Sequence, residues 1–422
     1  MSQTHTSAPY GPSKRQDLTQ LVLMRRLVFI AAILGLYLQV PLGVPYGLFL
    51  LPSLVLSVLA FPGPAPYHPM IFFLVFGTVM LLITSFAHPS DLGNQTSSTI
   101  LLWLSIFASL AVGTQLRRLG KRRMAKWFWW ITVAIIIGAL LERLGPLRPI
   151  SDGIRSALYP ASILYDGEAR DLANHGFVRP KLLTSEPSHL GKFFATFITV
   201  AAALDSRRIK HLVVNVAGYM VIASPVILIA VGVIVLMILQ ARGWRRSFRS
   251  PFIMLPAVLT LALVAVYVYQ IATVRLSGNG GGIEPSTYQR IVQPYLVMMM
   301  SLEQRPLFGY GLGSQALLER FFHITFVSSY APEFFRNESY EIARSFGNIH
   351  FGMVAQFGVL GSAIWLFCIE QIRRSFSAAA IPFWAFYVGY GFFTAAVNTP
   401  LLIAPLCLVA FGLSADRRRT LA

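Results

Sequence analysis

The chain has 422 residues; 55% are hydrophobic, only 12% are charged, and the formal net charge is +18. With a mean hydropathy of +0.62, a soluble fold is excluded, because too few polar residues remain to cover its surface. Apolar runs of about 20 residues fill most of the sequence, as membrane-spanning helices require, and the short alternating strands of a membrane barrel are absent.

The sequence therefore predicts an all-α polytopic membrane protein. Residues 1–26 are polar and form a cytoplasmic N-terminus, with no cleavable signal peptide expected. A single transmembrane domain follows over 27–414, and 415–422 form a cytoplasmic tail. About 12 spans are predicted, at 27–42, 45–61, 69–87, 98–116, 127–144, 189–205, 212–223, 224–241, 252–274, 350–369, 382–397 and 400–414. The two cysteines, Cys368 and Cys407, fall in apolar runs and read as small core residues.

With the N-terminus inside, Lys and Arg sort sharply. Clusters such as Arg117 to Lys126, Arg242 to Arg249 and Arg417 to Arg419 all fall on one side. By count, the inside holds 22 basic and four acidic residues, and the outside 13 of each. The positive-inside rule predicts this asymmetry. The clusters then serve anionic lipid headgroups rather than nucleic acid.

One place tests the map. Residues 212–240 form a single apolar run long enough for one tilted span, which would reverse everything after it. The preferred reading is a helical hairpin broken near Ser224 and Pro225, because proline cannot continue the backbone ladder. Its tip points toward the outer half of the membrane.

Two long polar segments, 142–189 and 275–349, interrupt the spans and fall on the same outer side. The first ends in Phe177-Val-Arg-Pro-Lys-Leu-Leu-Thr-Ser-Glu-Pro-Ser-His-Leu-Gly-Lys192. Pro187 suits a first helical turn, and Ser188 or Ser185 is a possible cap. This brings Arg179, Glu186 and His189 to a helix N-terminus, which favours anions. An ordinary helix start with solvated charges has the same spacing.

The second segment opens on the flexible Ser277-Gly-Asn-Gly-Gly-Gly282. An apolar-faced stretch around Arg290 follows, lying on the outer leaflet or packing on the bundle. Next comes Arg305-Pro-Leu-Phe-Gly-Tyr-Gly-Leu-Gly-Ser314, which lacks the strand and the Lys-Ser/Thr of a phosphate-binding loop. Asn348-Ile-His350 and Gly358-Val-Leu-Gly361 close the segment and open the next span.

These motifs, in this order, resemble the bacterial O-antigen ligases and O-antigen polymerases. The points of likeness are an Arg shortly before Glu186-Pro187-Ser188, an Arg-bearing helix before a Pro-Leu-x-Gly-x-Gly-x-Gly element, and an Asn/His cluster before Gly-x-x-Gly. Ligases more often show Asn-Pro-Asn where this chain has Glu186-Pro187-Ser188, so the polymerase branch is closer. The usual His-Asn pair is replaced here by Asn348-Ile-His350.

The resemblance implies a GT-C-like architecture with two large periplasmic loops in a bacterial inner membrane, both termini cytoplasmic. It implies a glycosyltransferase that polymerises repeat units carried on undecaprenyl pyrophosphate, inverting and without a metal or other cofactor. Arg179 and Arg290, with Arg344 or Arg305 next, would hold the pyrophosphate, since a guanidinium is always charged and binds phosphate through a fork. His350 or Glu186 would take the proton from the attacking hydroxyl or orient the acceptor. Expected partners are the lipid-linked oligosaccharide, membrane lipids, a chain-length regulator and export proteins. The alternatives are an O-antigen ligase acting on lipid A-core or another acceptor, a flippase for the same lipid-linked sugars, and a non-catalytic scaffold. A flippase calls for charges lining a path through the bundle, and the spans carry few.

Overall fold

A computed structural model describes residues 27, 30, 33, 34, 37, 38, 67–88, 91–161, 164–242, 288–327, 346–394 and 400–414. The predicted spans 45–61 and 252–274, most of 27–42, and Arg344 lie outside the described residues. Every regular element among the described residues is helical. The helices are α1 (Tyr67–Ala87), α2 (Leu92–Leu119), α3 (Lys121–Arg143), α4 (Arg148–Leu158), α5 (Glu168–His175), α6 (Pro187–Leu204), α7 (Arg208–Ile222) and α8 (Val226–Arg242). After a π-helical turn at Tyr288–Val292 come α9 (Gln293–Gln304), α10 (Gln315–Val327), α11 (Ile349–Ser375), α12 (Ala380–Gly391) and α13 (Pro400–Ser414).

Four helices are long and apolar enough to cross a bilayer: His68–Phe86, Leu92–Thr114, Lys121–Arg143 and Ile349–Ser375. They make this a helical membrane-embedded protein. The other apolar helices, including Val226–Ala241 and Leu402–Ser414, are shorter, so a set of twelve full crossings is not what the described residues display.

Side-chain periodicity explains which faces meet. On α1, Ile71, Val75, Val79, Leu82 and Phe86 are exposed at helical spacing, a stripe suited to lipid. The opposite stripe, Phe73, Phe76, Met80 and Thr84, is buried. It packs antiparallel on α11, with Phe73 against Trp365 at 5.4 Å and Phe76 edge-on to Phe357 at 5.0 Å between ring centroids. Such pairs contribute about 0.5–1.5 kcal/mol each beyond area burial.

Helix α6 is the hub. Almost every residue from Pro187 to Ala203 is buried, including Ala195 and the run Ala201–Ala203. It packs against α3, α7, α8 and α13. Small side chains allow that crowding, as membrane helix interfaces require.

The run at 212–240 is indeed broken. Helix α7 ends with Ala223 in the left-handed region at φ 51°, and α8 restarts at Val226 just after Pro225. The two pack as an antiparallel hairpin. Asn215 Nδ2 donates to the Ile227 carbonyl at 3.3 Å, and Arg208 to the Met237 carbonyl at 2.6 Å. The tip lies beside the first polar segment, where Arg143 donates to the Met220 carbonyl at 2.8 Å. A Cβ on Gly191 of α6 would fall 2.1 Å from Ser224 Oγ.

The glycine-rich 305–314 stretch is a backbone clasp. Helix α11 is interrupted at Gly358 (φ 64°, ψ −171°), and the clasp enters the break. Val359 N–H donates to the Pro306 carbonyl at 2.8 Å, Leu360 N–H to Leu307 at 3.0 Å, and Gly311 N–H to Gln356 at 2.6 Å. A Cβ at Gly309 would lie 2.5 Å from the Gln356 carbonyl carbon, and one at Gly358 would lie 2.4 Å from that of Leu307. The glycines therefore serve backbone-to-backbone approach. The Arg290-bearing stretch packs on the bundle: α9 lies along α11, and Ser301 Oγ donates to the Ala355 carbonyl at 2.8 Å.

Candidate functional site

The described part of the first polar segment is a hydrogen-bonded platform. Buried Glu142, at the end of α3, accepts the N–H groups of Lys181 at 3.1 Å and Leu182 at 2.5 Å. Leu182 and Leu183 both adopt left-handed φ, 40° and 68°, each at a cost of about 1–3 kcal/mol. Tertiary bonds enforce this shape. Leu183 N–H donates to Ser151 Oγ at 3.1 Å, and the Tyr37 hydroxyl to the Leu182 carbonyl at 2.8 Å. Arg155, buried and paired with Asp152 at 2.6 Å, donates to the carbonyls of Thr184 at 2.7 Å and Ser185 at 3.0 Å.

That platform delivers residues 185–192 to the start of α6. Glu186 holds the N-cap position in extended conformation, yet its side chain makes no cap bond. The carboxylate instead takes the Ser188 hydroxyl and lies 3.2 Å from His189 Nε2. Ser185, expected as a possible cap, places its Oγ 3.0 Å from His189 Nδ1. Burial pushes the Glu186 carboxyl upward, but His189, Lys192, the Ser188 hydroxyl and Arg290 outweigh it and hold it at about 2. It is an anion at neutral pH. Lys192, one turn beyond His189, is 5% exposed.

Arg290 stands on the π-helical turn, and its charge acts on Glu186. Its guanidinium carbon is 5.9 Å from the Phe393 ring centroid. A Cβ on Gly347 would lie 3.0 Å from Arg290 Cα, so the start of α11 touches the same turn. Asn348 caps α11 by accepting the His350 N–H at 2.9 Å. The His350 Nε2 is 2.8 Å from the Val388 carbonyl and must donate to it, which leaves Nδ1 as an acceptor. The ring is set between Tyr387 and Phe392, at 5.5 and 5.1 Å.

Two of the expected pyrophosphate arginines lie elsewhere. Arg179 Nε donates to Asp171 Oδ1 at 2.8 Å, its backbone N–H donates to Oδ2 at 3.2 Å, and Nη2 reaches the Tyr165 hydroxyl at 3.0 Å. Asp171 is fully buried, so the Arg179 charge is largely consumed by the fold. Arg305 rests 5.2 Å from the Tyr310 ring centroid. His88 stacks on that ring at 5.9 Å, and Arg320 donates to its hydroxyl at 2.9 Å. This is a separate cluster at the clasp.

The structure thus assembles Glu186, His189, Lys192 and Arg290 into one group, with the α11 start and His350 adjoining. Lys192 was not singled out from sequence. A lone Lys near the start of an apolar run reads as a headgroup contact; its spacing of three from His189 and six from Glu186 was the available signal. Among the described residues, no group of three or more His, Cys, Asp or Glu side chains is placed to share a metal ion. No family model matches the chain, and no curated protein matches it either. Chemically, three cationic or ionisable groups gather around one carboxylate, with the Ser185 hydroxyl bonded to the His189 imidazole and that imidazole 3.2 Å from the carboxylate.

Proposed function

We propose that this protein is a membrane glycosyltransferase that polymerises oligosaccharide repeat units carried on a polyprenyl pyrophosphate, acting at the outer face of a bacterial inner membrane. The supporting observation is the charged group at the start of α6: Glu186 lies 3.2 Å from His189, Lys192 is buried one turn on, and the Arg290 charge from the second polar segment acts on both. Diphosphate is a good leaving group, so such an enzyme must mainly gather two tethered substrates and stabilise the charge that builds on the departing phosphate. Lys192 and Arg290 suit that task, and His350 or the Glu186 group flanks the space for an acceptor sugar.

Purified protein in lipid, supplied with lipid-linked repeat units, is expected to make longer chains. Lys192→Met and Arg290→Ala are each expected to lower elongation about 10²–10³-fold at equal protein level. Transfer of single units to another lipid acceptor would instead indicate a ligase. Translocation without elongation would reject the enzyme reading.

A further inference from the structure

The proposed transfer needs a group that takes the acceptor hydroxyl's proton. We infer that His189 is that group, with the Ser185 hydroxyl as the relay through which the proton reaches it. This assignment rests on the glycosyltransferase reading above.

The tautomer follows from the neighbours. Nε2 lies 3.2 Å from a Glu186 oxygen, and a lone pair there would face an anion, so the ring proton sits on Nε2 as an electrostatic contact with the carboxylate. Nδ1 therefore holds a lone pair, and Ser185 Oγ donates to it at 3.0 Å. This is the order of an activated hydroxyl, a base and an orienting acid. Ser185 cannot drift, because its carbonyl is held by Arg155 at 3.0 Å and by the Tyr165 N–H at 3.1 Å. Ser185 is 8% exposed and the His189 side chain 21%, so the acceptor hydroxyl meets the pair at the edge where the imidazole reaches the surface. His350 is less suited, because Val388 and two aromatic rings fix it.

In the step, the acceptor oxygen bonds to the anomeric carbon as the bond from that carbon to the diphosphate oxygen breaks. The bonding pair leaves with the diphosphate. The acceptor proton passes to Ser185 Oγ as the Ser185 proton passes to His189 Nδ1. Glu186 offsets the new imidazolium charge, and the departing diphosphate offsets Lys192 and Arg290. Among the described residues, those three act on the ring by charge, the Ser185 hydroxyl bonds it, and the Ser188 hydroxyl bonds the Glu186 carboxylate beside it.

The test uses the full-length protein in lipid, with the lipid-linked repeat units that accumulate in cells lacking the gene. Elongation is measured against pH. The wild type is expected to lose rate on the acid side through one ionisation. His189→Gln should fall about 10²–10⁴-fold and lose that acid limb, whereas His350→Gln keeps it. External imidazole should restore part of the activity of His189→Ala, which a purely structural role does not allow. Glu186→Gln should move the acid limb to lower pH, and this variant decides the matter should the His189 variants not accumulate. An unmoved limb in Glu186→Gln, or a near-normal rate with an intact limb in His189→Gln, overturns the assignment. A wild type that joins no sugars to any acceptor rejects the glycosyltransferase reading itself, and the base falls with it.

Discussion

Replacing Gly358 by alanine tests the clasp most directly. At φ 64° and ψ −171° the residue sits where only glycine is comfortable, and a side chain there costs about 1–3 kcal/mol. The new Cβ would also lie 2.4 Å from the Leu307 carbonyl carbon and 2.5 Å from its oxygen. Both obstacles are backbone, so the clasp must back away. The bonds from Val359 N–H at 2.8 Å and Leu360 N–H at 3.0 Å then open, at about 1 kcal/mol each. The sum is a loss of about 3–5 kcal/mol. Gly232→Ala is the control: nothing lies within 4 Å of its Cβ, and alanine should gain up to about 1 kcal/mol in a helix interior. Cys368 and Cys407 are both buried, so a thiol-reactive fluorophore reports unfolding without added labels. At one heating rate, Gly358→Ala should melt well below wild type and Gly232→Ala at or above it. Equal midpoints for the two variants would refute the clasp as a stabilising element.

Three further outcomes follow from the same geometry. Arg179→Ala should strand the Asp171 carboxylate and cost about 3–5 kcal/mol, and adding Asp171→Ala should recover much of the protein level. Wild-type stability with lost activity would return Arg179 to the substrate. The depressed Glu186 carboxyl contributes stability that is complete above its ordinary value of 4.5 and is lost as pH falls through about 2. The contribution is below about 3 kcal/mol, because a third of the side chain meets solvent. Glu186→Gln should flatten the acid limb of a pH–stability curve. Finally, Gly191→Ala should push against Ser224 and destabilise by about 1–3 kcal/mol, and Ser224→Gly should restore the melting point.

Local signals carried well from sequence to structure. The span read at 127–144 is the helix Lys121–Arg143, and the one read at 189–205 is Pro187–Leu204, because hydropathy and Pro187 act on neighbouring residues. The hairpin break at Ser224 and Pro225 was legible for the same reason. Partners brought together by folding were not. Nothing local distinguishes Arg179, spent on Asp171, from Arg290, whose charge reaches Glu186. Arg305 and Arg290 share a segment, yet α9 separates them into different clusters. The glycine motif was visible as a motif, but its meaning lay in backbone atoms some 50 residues away. The strain at Leu182 and Leu183 is invisible in two ordinary leucines, since Glu142, Ser151 and Tyr37 impose it.

The hairpin of α7 and α8 also bears on the bilayer. Fifteen and 17 residues give lengths of about 23 and 26 Å at 1.5 Å per residue. The hydrocarbon layer is about 30 Å thick. Either the lipid thins around the hairpin, or neighbouring protein covers the shortfall, as Gly191 and Arg143 do at the tip. A dimple on this flank would bring headgroups down toward the start of α6. On the function proposed above, a lipid-borne phosphate would then approach the start of α6 by sliding sideways within its own leaflet, without being lifted out of the membrane.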